Sequence, residues 1–299
     1  MPTTAGEVLR NYLATQLAEL RHQEPLVRQE EPDSVHQMRM SVRRLRSLLA
    51  TGKKLLDRGT VTAVRAELKW LSGVLGAARD PEVMRERLGE LLAGEPEALV
   101  FGPAARRIDE TLDAASAAGR KAALEALDSD RYAGLVSQLA ELVAAPPLTG
   151  KASRTPRKTM LKLVSKDAAR VQRLVEKVEQ KSDAGNPGSS PAHENSAHDV
   201  GLHEVRKAAK RLRYAAEAAQ PVAGKKAAKM AKRAHKIQKL LGLHQDSVVA
   251  RAQLAELGGR AFRSGDSGFT YGRLHAREQV LAGKSEAKFW KAWRKFPRS

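Results

Sequence analysis

The chain has 299 residues, with 53 Lys and Arg against 34 Asp and Glu, and a formal net charge of +19. Its hydrophobic fraction of 42% is typical of a globular protein and excludes a disordered tail. A charge of this size repels itself and exceeds what solubility requires, so it predicts an anionic partner: nucleic acid, an anionic membrane or polyphosphate. The absence of cysteine excludes disulfides, thiolate zinc sites and a thiol nucleophile.

No segment of the sequence has the properties of a targeting or membrane-spanning element. The first twenty residues lack the apolar core and cleavage site of a signal peptide. No stretch approaches the ~18 uninterrupted apolar residues of a spanning helix. A cytoplasmic location is therefore the default expectation.

Apolar residues recur at three- and four-residue spacing along nearly the whole chain, and period-two alternation is absent. This pattern predicts an all-α fold, with Ser34 and Gln37 forming a capping box and Asp199 capping a later helix. Asp80 and Asp246 are interpreted as helix caps, not as metal ligands or catalytic residues. The predicted helices span 6–29, 34–56, 61–78, 81–92, 103–127, 130–143, 156–180, 199–219, 222–241 and 246–257, followed by two shorter helices.

The second half of the sequence repeats the first. VHQMRMSVRRLRSLL begins at Val35 and LHEVRKAAKRLRYAA begins at Leu202, and the two histidines are 167 residues apart. Such a repeat is too long for a solenoid unit and predicts a duplicated helical bundle with a pseudo-two-fold. We therefore expect one domain over 1–299, built from repeats at about 5–148 and 155–299. The Gly/Ser/Pro-rich segment 181–198 is predicted to be a mobile loop.

Each copy of the repeated helix carries a row of basic residues beside an apolar face. No carboxylate interrupts either row, and like charges at this spacing destabilise an isolated helix, so the rows predict an external anion. A lone histidine is more often a packed residue, but the recurrence of His-x-x-Arg favours binding. Arg44 and Arg211 lie off the rows and are interpreted as solvated. Within arcs of roughly 80° the rows contain His36, Arg39, Arg43 and Arg46 in the first copy, and His203, Arg206, Lys210 and Arg213 in the second.

These motifs resemble the CHAD family, the conserved-histidine α-helical domain. The resemblance rests on His36-x-x-Arg39-x-x-x-Arg43-Arg44-Leu45-Arg46, on its copy from His203 to Arg213, and on the Leu-Gly-x-x-Arg/Gln-Asp sequences at Leu75 and Leu241. It implies two antiparallel helical bundles about a pseudo-two-fold with a basic central groove or pore, binding of inorganic polyphosphate, and location at polyphosphate granules. Members are often fused to a triphosphate-processing barrel with a Glu-x-Glu-x-Lys signature, which this sequence does not contain.

A second basic stripe lies on the predicted helix 222–241. Its lysines share an arc of roughly 80°, and because this helix follows the His203 helix, the two stripes are expected to face one groove. A solvated surface is the alternative interpretation. The stripe consists of Lys225, Lys229, Lys232, Lys236 and Lys239.

Several classes of function remain to be weighed. The sequence has no phosphate-binding Gly-rich loop, no carboxylate pair at metal-ligand spacing and no recognisable triad, so we expect neither an enzyme nor a cofactor or metal. Non-catalytic binding of long polyphosphate fits the basic rows best, with a granule-surface scaffold as a compatible role. The alternative is non-specific, histone-like nucleic-acid binding, although aromatic residues for base stacking are few, at 4%.

Overall fold

A computed structural model describes residues 2–183 and 191–297, and in these ranges the protein is all-α with no strand. One isolated antiparallel bridge joins Leu56 to Leu148. None of the described helices is long and apolar enough to cross a membrane. The helices are α1 (Ala5–Arg28), α2 (Ser34–Thr51), α3 (Arg58–Ala93), α4 (Ala104–Leu127), α5 (Asp130–Ala144), α6 (Pro156–Asp183), α7 (Pro191–Arg263) and α8 (Phe269–Trp293), with a 3₁₀ turn at Glu97–Leu99.

Helix α7 folds back on itself at Gly224. This residue has φ +53° and ψ −134°, a backbone conformation that a side chain disfavours. It divides α7 into a first arm (191–223) and a second arm (225–263). The Nδ1–H of His203 donates to Gln245 Oε1 at 2.8 Å, and Arg213 lies 2.8 Å from Nδ1 of His235. Because the partners run in opposite directions along the chain, the two arms form an antiparallel hairpin.

Two predicted helix boundaries are wrong because helices continue through residues that favour breaks. The predicted helices 61–78 and 81–92 are one helix, α3, with Pro81 inside it. Pro81 cannot donate to the carbonyl of Ala77. Gly119 of α4 packs directly on that carbonyl, where any Cβ would overlap it. The predicted break between 241 and 246 is likewise absent, and the two short C-terminal helices are the single helix α8.

The predicted caps are also wrong. Asp33, with φ +63°, is the N-cap residue of α2, and it forms no side-chain cap hydrogen bond. Ser34 instead donates its hydroxyl to the carbonyl of Glu31 at 2.6 Å. Asp80, Asp199 and Asp246 all lie inside continuous helices. Their carboxylates are therefore available for contacts with neighbouring helices.

The segment predicted as a mobile loop is helical at both ends. Helix α6 extends to Asp183, and α7 begins at Pro191. The central part of the predicted loop, 184–190, lies outside the described residues. The helices of the second half follow one another in the same order as those of the first. In this order α6 corresponds to α1, the two arms of α7 correspond to α2 and α3, and α8 corresponds to α4. The pseudo-two-fold relation itself stays a prediction.

Two apolar cores connect the halves of the molecule. The larger core includes residues from both repeat helices, among them Leu45 of α2 and Leu212 of α7. A smaller core joins the end of α3 and the start of α4 to the end of α7 and the start of α8. Beside it, Arg87 forms two 2.6 Å hydrogen bonds with Glu278, whose side chain is fully buried. The repeat helices α2 and the first arm of α7 are thus held against each other in the middle of the fold.

Candidate functional site

A groove of about 420 Å³ lies where α2 meets the first arm of α7. Helices α3 and α6 supply its remaining walls. We call it the first groove. Its charged and histidine lining residues are Arg43, Arg46, Arg65, Arg170, His203, Glu204, Arg206, Lys207, Lys210 and Arg211.

Most of the cations in the first groove have no partner among the residues that the structure describes. Glu204 is its one lining carboxylate, and Lys207 binds it at 2.6 Å. Arg211 is held by Asp167 at 3.0 Å and by the carbonyl of Ala50 at 2.8 Å. The other six form no hydrogen bond or ion pair with any described residue, although guanidinium groups normally find acceptors when partly buried. These six are Arg43, Arg46, Arg65, Arg170, Arg206 and Lys210.

Arg43 and Lys210 occupy equivalent repeat positions and are both shielded from water. Burial, with a smaller effect of the neighbouring Arg43, Arg206, Arg39 and Arg46, lowers the pKa of Lys210 to about 6. Burial, with Arg39 and Arg206, lowers the pKa of Arg43 to about 10. The charged forms of both side chains are therefore destabilised in the free protein, and an anion in the groove would relieve that cost.

The two predicted histidines lie in different surroundings. His203 lines the first groove, and burial lowers its pKa, an effect that Lys207 and Arg206 reinforce and the hydrogen bond to Gln245 opposes. His36 does not line this groove. It lines a neighbouring cavity of about 310 Å³ that also contains Arg79.

Burial is also the largest cause of the lowered pKa of His36. Asp33 opposes this effect, whereas Arg79, Arg39 and Arg43 add to it. Both histidines are thus pushed towards the neutral imidazole by desolvation first and by like charge second.

Arg39 is paired inside the protein with a carboxylate from another helix, although the row was expected to need an external anion. Its guanidinium binds Asp80 of α3 through two contacts, at 2.5 and 3.1 Å, while its Nε is buried without an acceptor. In the second copy, Arg206 and Asp246 form no such pair. Burial raises the pKa of Asp246, and Arg206 partly opposes this effect. The carboxylates that sequence analysis assigned to capping therefore face the basic rows.

Arg213 is likewise neutralised locally. Its Nε donates to Glu217 at 2.6 Å, one turn further along the same arm, and its guanidinium lies over the ring of Tyr214. Arg213 is not among the residues that line the first groove. Arg44 is not among them either. Arg211 was interpreted from the sequence as solvated, but it forms an ion pair with Asp167.

The five lysines of the second stripe are exposed on the second arm of α7. The two arms are antiparallel neighbours, as expected. None of the stripe lysines lines the first groove, however, and Lys236 lines a separate groove with residues of α8. The expectation that both stripes face one groove is therefore wrong. The residues concerned are Lys225, Lys229, Lys232, Lys236 and Lys239.

Sequence analysis missed two of the six first-groove cations that have no partner among the described residues. Arg65 of α3 lies beside Arg46, and burial lowers its pKa, with Arg46 adding to the effect. Arg170 comes from α6. The basic residues on the helices that carry Arg65 and Arg170 form no clear stripe in the sequence. Helical periodicity therefore did not separate these two arginines from solvated residues.

No cluster of three or more His, Asp or Glu in the described ranges could hold a metal ion. The first groove instead offers multiple N–H donors with fixed positive charge. Arginine binds phosphate or carboxylate oxygens through two parallel hydrogen bonds, and lysine binds them as a point charge. Such a surface is suited to holding an extended polyanion.

Comparison with known proteins identifies the family. The chain is 34% identical to the uncharacterized proteins MT2285 and Rv2226 of two Mycobacterium tuberculosis strains, over all of this chain and 55% of each of those proteins. It thus spans about half the length of the curated relatives it matches.

Two solved structures share the architecture. PptA from Streptomyces chartreusis superposes with a TM-score of 0.80 at 26% identity, over 97% of this chain and 99% of that one. The CHAD domain from the plant Ricinus communis gives 0.66 at 23% identity, over 99% and 94%, a likeness that shows the fold alone. The model of the CHAD domain matches residues 11–255. The chain therefore belongs to the CHAD domain family.

Proposed function

We propose that this protein binds long-chain inorganic polyphosphate in the first groove without cleaving it. The observation that carries the proposal is the convergence of six unpartnered cations on one groove with a single, already engaged carboxylate. The chain belongs to the CHAD family, and resemblance to this family implies polyphosphate binding. Family membership therefore supports the same ligand.

The composition of the groove favours polyphosphate over nucleic acid. Polyphosphate carries a charge on every unit and no bases, so it needs only a track of cations. The lining of the first groove includes no Phe, Tyr or Trp side chain on which a base would stack. Orthophosphate is too small to contact all six cations at once. Affinity should therefore grow with chain length until the groove is filled.

Titration calorimetry at one salt concentration tests this assignment. Long polyphosphate should bind more tightly than orthophosphate, single-stranded DNA or duplex DNA of equal total charge. Replacing Arg46 and Arg206 together by Gln should weaken polyphosphate binding by about tenfold or more, because each removes charge-assisted hydrogen bonds. The matched control replaces Arg58 and Arg157, both exposed outside the groove. Tighter binding of DNA, or equal effects of both double substitutions, would refute the proposal.

The absence of cleavage is tested separately. The first groove contains cations and one engaged carboxylate, but no free carboxylate to act as a base or to hold Mg²⁺. Incubation with polyphosphate and Mg²⁺ should leave the chain length unchanged on a gel. Release of orthophosphate that disappears in the Arg46/Arg206 variant would show a catalytic site.

Association with polyphosphate granules follows if binding occurs in cells. A fluorescent fusion should concentrate on granules in cells that accumulate polyphosphate and should be diffuse in cells that lack it. The Arg46/Arg206 variant should concentrate on granules less strongly than the wild type. Granule association that is unchanged in this variant would mean that another surface directs it.

A further inference from the structure

A second groove, of about 490 Å³, lies between the second arm of α7 and the C-terminal part of α8. It shares no lining residue with the first groove. Cations stand on both of its walls, and its floor is apolar. The wall residues are Arg233 and Lys236 from α7, Lys288 and Lys291 from α8 and Lys295 from the turn after α8, and the floor residues are Ile237, Leu240, Ala292 and Phe296.

The helix segments around the second groove are depleted of acids. Residues 225–243 contain no Asp or Glu, and 279–297 contain only Glu286. Glu286 does not serve the groove, because it accepts hydrogen bonds from Trp290 at 2.9 Å and from His198 at 2.7 Å on the packed side. The five wall cations form no ion pair with a described residue. Uncompensated like charge at this spacing is unfavourable unless an anion binds.

We propose that the second groove binds a second segment of polyphosphate, so that one protein molecule cross-links two polyphosphate chains. This inference rests on the proposed function of the first groove. The two grooves use different helix pairs, α2 with the first arm of α7 and the second arm of α7 with α8. A protein with two separate polyanion sites joins chains as a bivalent ligand does.

The shape of the second groove favours a single chain of phosphates. Neighbouring packed helices lie about 8–10 Å apart, so a linear polyanion fits between the two walls and a nucleic-acid duplex does not enter. The one aromatic residue on the floor, Phe296, is 7% exposed and offers no free face for base stacking. Lysine, which predominates on the walls, binds phosphate as a point charge without demanding a particular geometry.

Stoichiometry is the direct test. Calorimetry with short polyphosphate of uniform length should give about two chains per wild-type protein, because each groove is an independent site. Replacing Lys236, Lys288, Lys291 and Lys295 together by Gln should reduce this to about one. These side chains are exposed and unpaired, so folding should be unaffected. The matched control replaces Lys121, Lys151, Lys158 and Lys162, which are exposed elsewhere, and should keep both sites.

Cross-linking adds a second readout. Mixed with long polyphosphate, the wild-type and control proteins should form large particles detected by light scattering. The second-groove variant should bind the same polymer but form particles at least about tenfold less readily, because each molecule then holds one chain.

The outcomes separate the two proposals. The second site would be refuted by a stoichiometry of one short chain per wild-type protein that is unchanged in the second-groove variant and lost in the Arg46/Arg206 variant. This result would leave the proposed function intact. Unaltered polyphosphate binding in the Arg46/Arg206 variant would instead refute the first groove as a binding site. Capture of duplex DNA or anionic phospholipid vesicles through the second groove, more tightly than polyphosphate at equal salt, would overturn its assigned ligand.

Discussion

Lys210 is the first-groove residue whose charged form is most strongly destabilised in the free protein. Its pKa is lowered from 10.5 to about 6, first by burial and then by four arginines. Between these two pH values the unfolded chain binds more protons than the folded protein, so stability of the free protein should rise with pH across this window. A bound polyanion reverses the local field and favours the ammonium, so binding should take up a proton near neutral pH.

Replacing Lys210 by Met tests this account. The variant should raise the free energy of unfolding of the free protein by about 1–4 kcal/mol, as when buried charges give way to apolar groups. It should also weaken polyphosphate binding and reduce proton uptake. Thermal denaturation and calorimetry in buffers of different ionisation enthalpy measure these effects. A variant with unchanged stability and proton uptake would show that Lys210 is solvated and charged in the free protein.

The histidines give a second pH-dependent prediction. Burial and nearby cations lower the pKa of His36 and His203 in the free protein, so ligand binding should raise both values. Affinity should strengthen as pH falls from about 8 to 6. His36→Ala and His203→Ala should each weaken binding and flatten this dependence, the second more strongly because His203 lines the groove. If the double variant keeps wild-type affinity and pH response, both are packing residues.

At the scale of elements, the pairing of α2 with α3 determines how many cations are free. Asp80 of α3 holds Arg39 of α2, whereas Asp246 does not hold Arg206. The Asp80 side chain is 66% exposed, so solvent and ligand can both compete for its partner. Asp80 therefore acts as an internal competitor of the polyanion for one arginine of the row.

Asp80→Asn should free Arg39 and strengthen polyphosphate binding by up to about fivefold, the upper limit that an exposed ion pair of about 0.2–1 kcal/mol allows. Asp113→Asn is the matched control, since Asp113 pairs with exposed Arg85 on the outer surface. The control should change affinity less, through net charge alone. Equal effects of the two substitutions in a calorimetric titration would show that Asp80 does not compete.

At the scale of the whole molecule, the two halves are joined by the smaller core and by the Arg87–Glu278 pair. Glu278 also lies beside Ser247, whose hydroxyl accepts from Arg87 at 2.7 Å. Breaking a buried pair leaves an unpaired buried charge, which is far more costly than losing a surface pair. This contact therefore holds the two halves in position relative to each other. It thereby also positions the walls of the first groove.

Arg87→Ala should lower the free energy of unfolding by about 3–5 kcal/mol. Arg85→Ala, two residues away on the same helix, should cost at most about 1 kcal/mol because its pair with Asp113 is exposed. Denaturant titration of both variants measures the difference. Similar losses in the two would mean that the Arg87–Glu278 pair contributes no more to stability than an exposed pair.

The sequence by itself determined the all-α fold, most of the helices and the basic rows of the two repeat helices. Helical periodicity is local, so the side of a helix on which a residue lies follows from its position in the chain. Errors occurred at Pro81 and near residue 246, where packing against neighbouring helices overrides the tendency to break. Asp33, not Ser34, proved to be the cap, since the turn before α2 adopts a left-handed conformation that the pattern does not reveal.

Only the tertiary structure decided which charges remain free. It joined Arg65 and Arg170 to the first groove and gave Arg39 a carboxylate from another helix. It also separated the lysine stripe of the second arm from the row on the first. The physical reason is that neutralisation depends on distances between helices far apart in sequence, whereas a helical wheel describes one helix alone. The rows were readable from the sequence, but the groove they form was not.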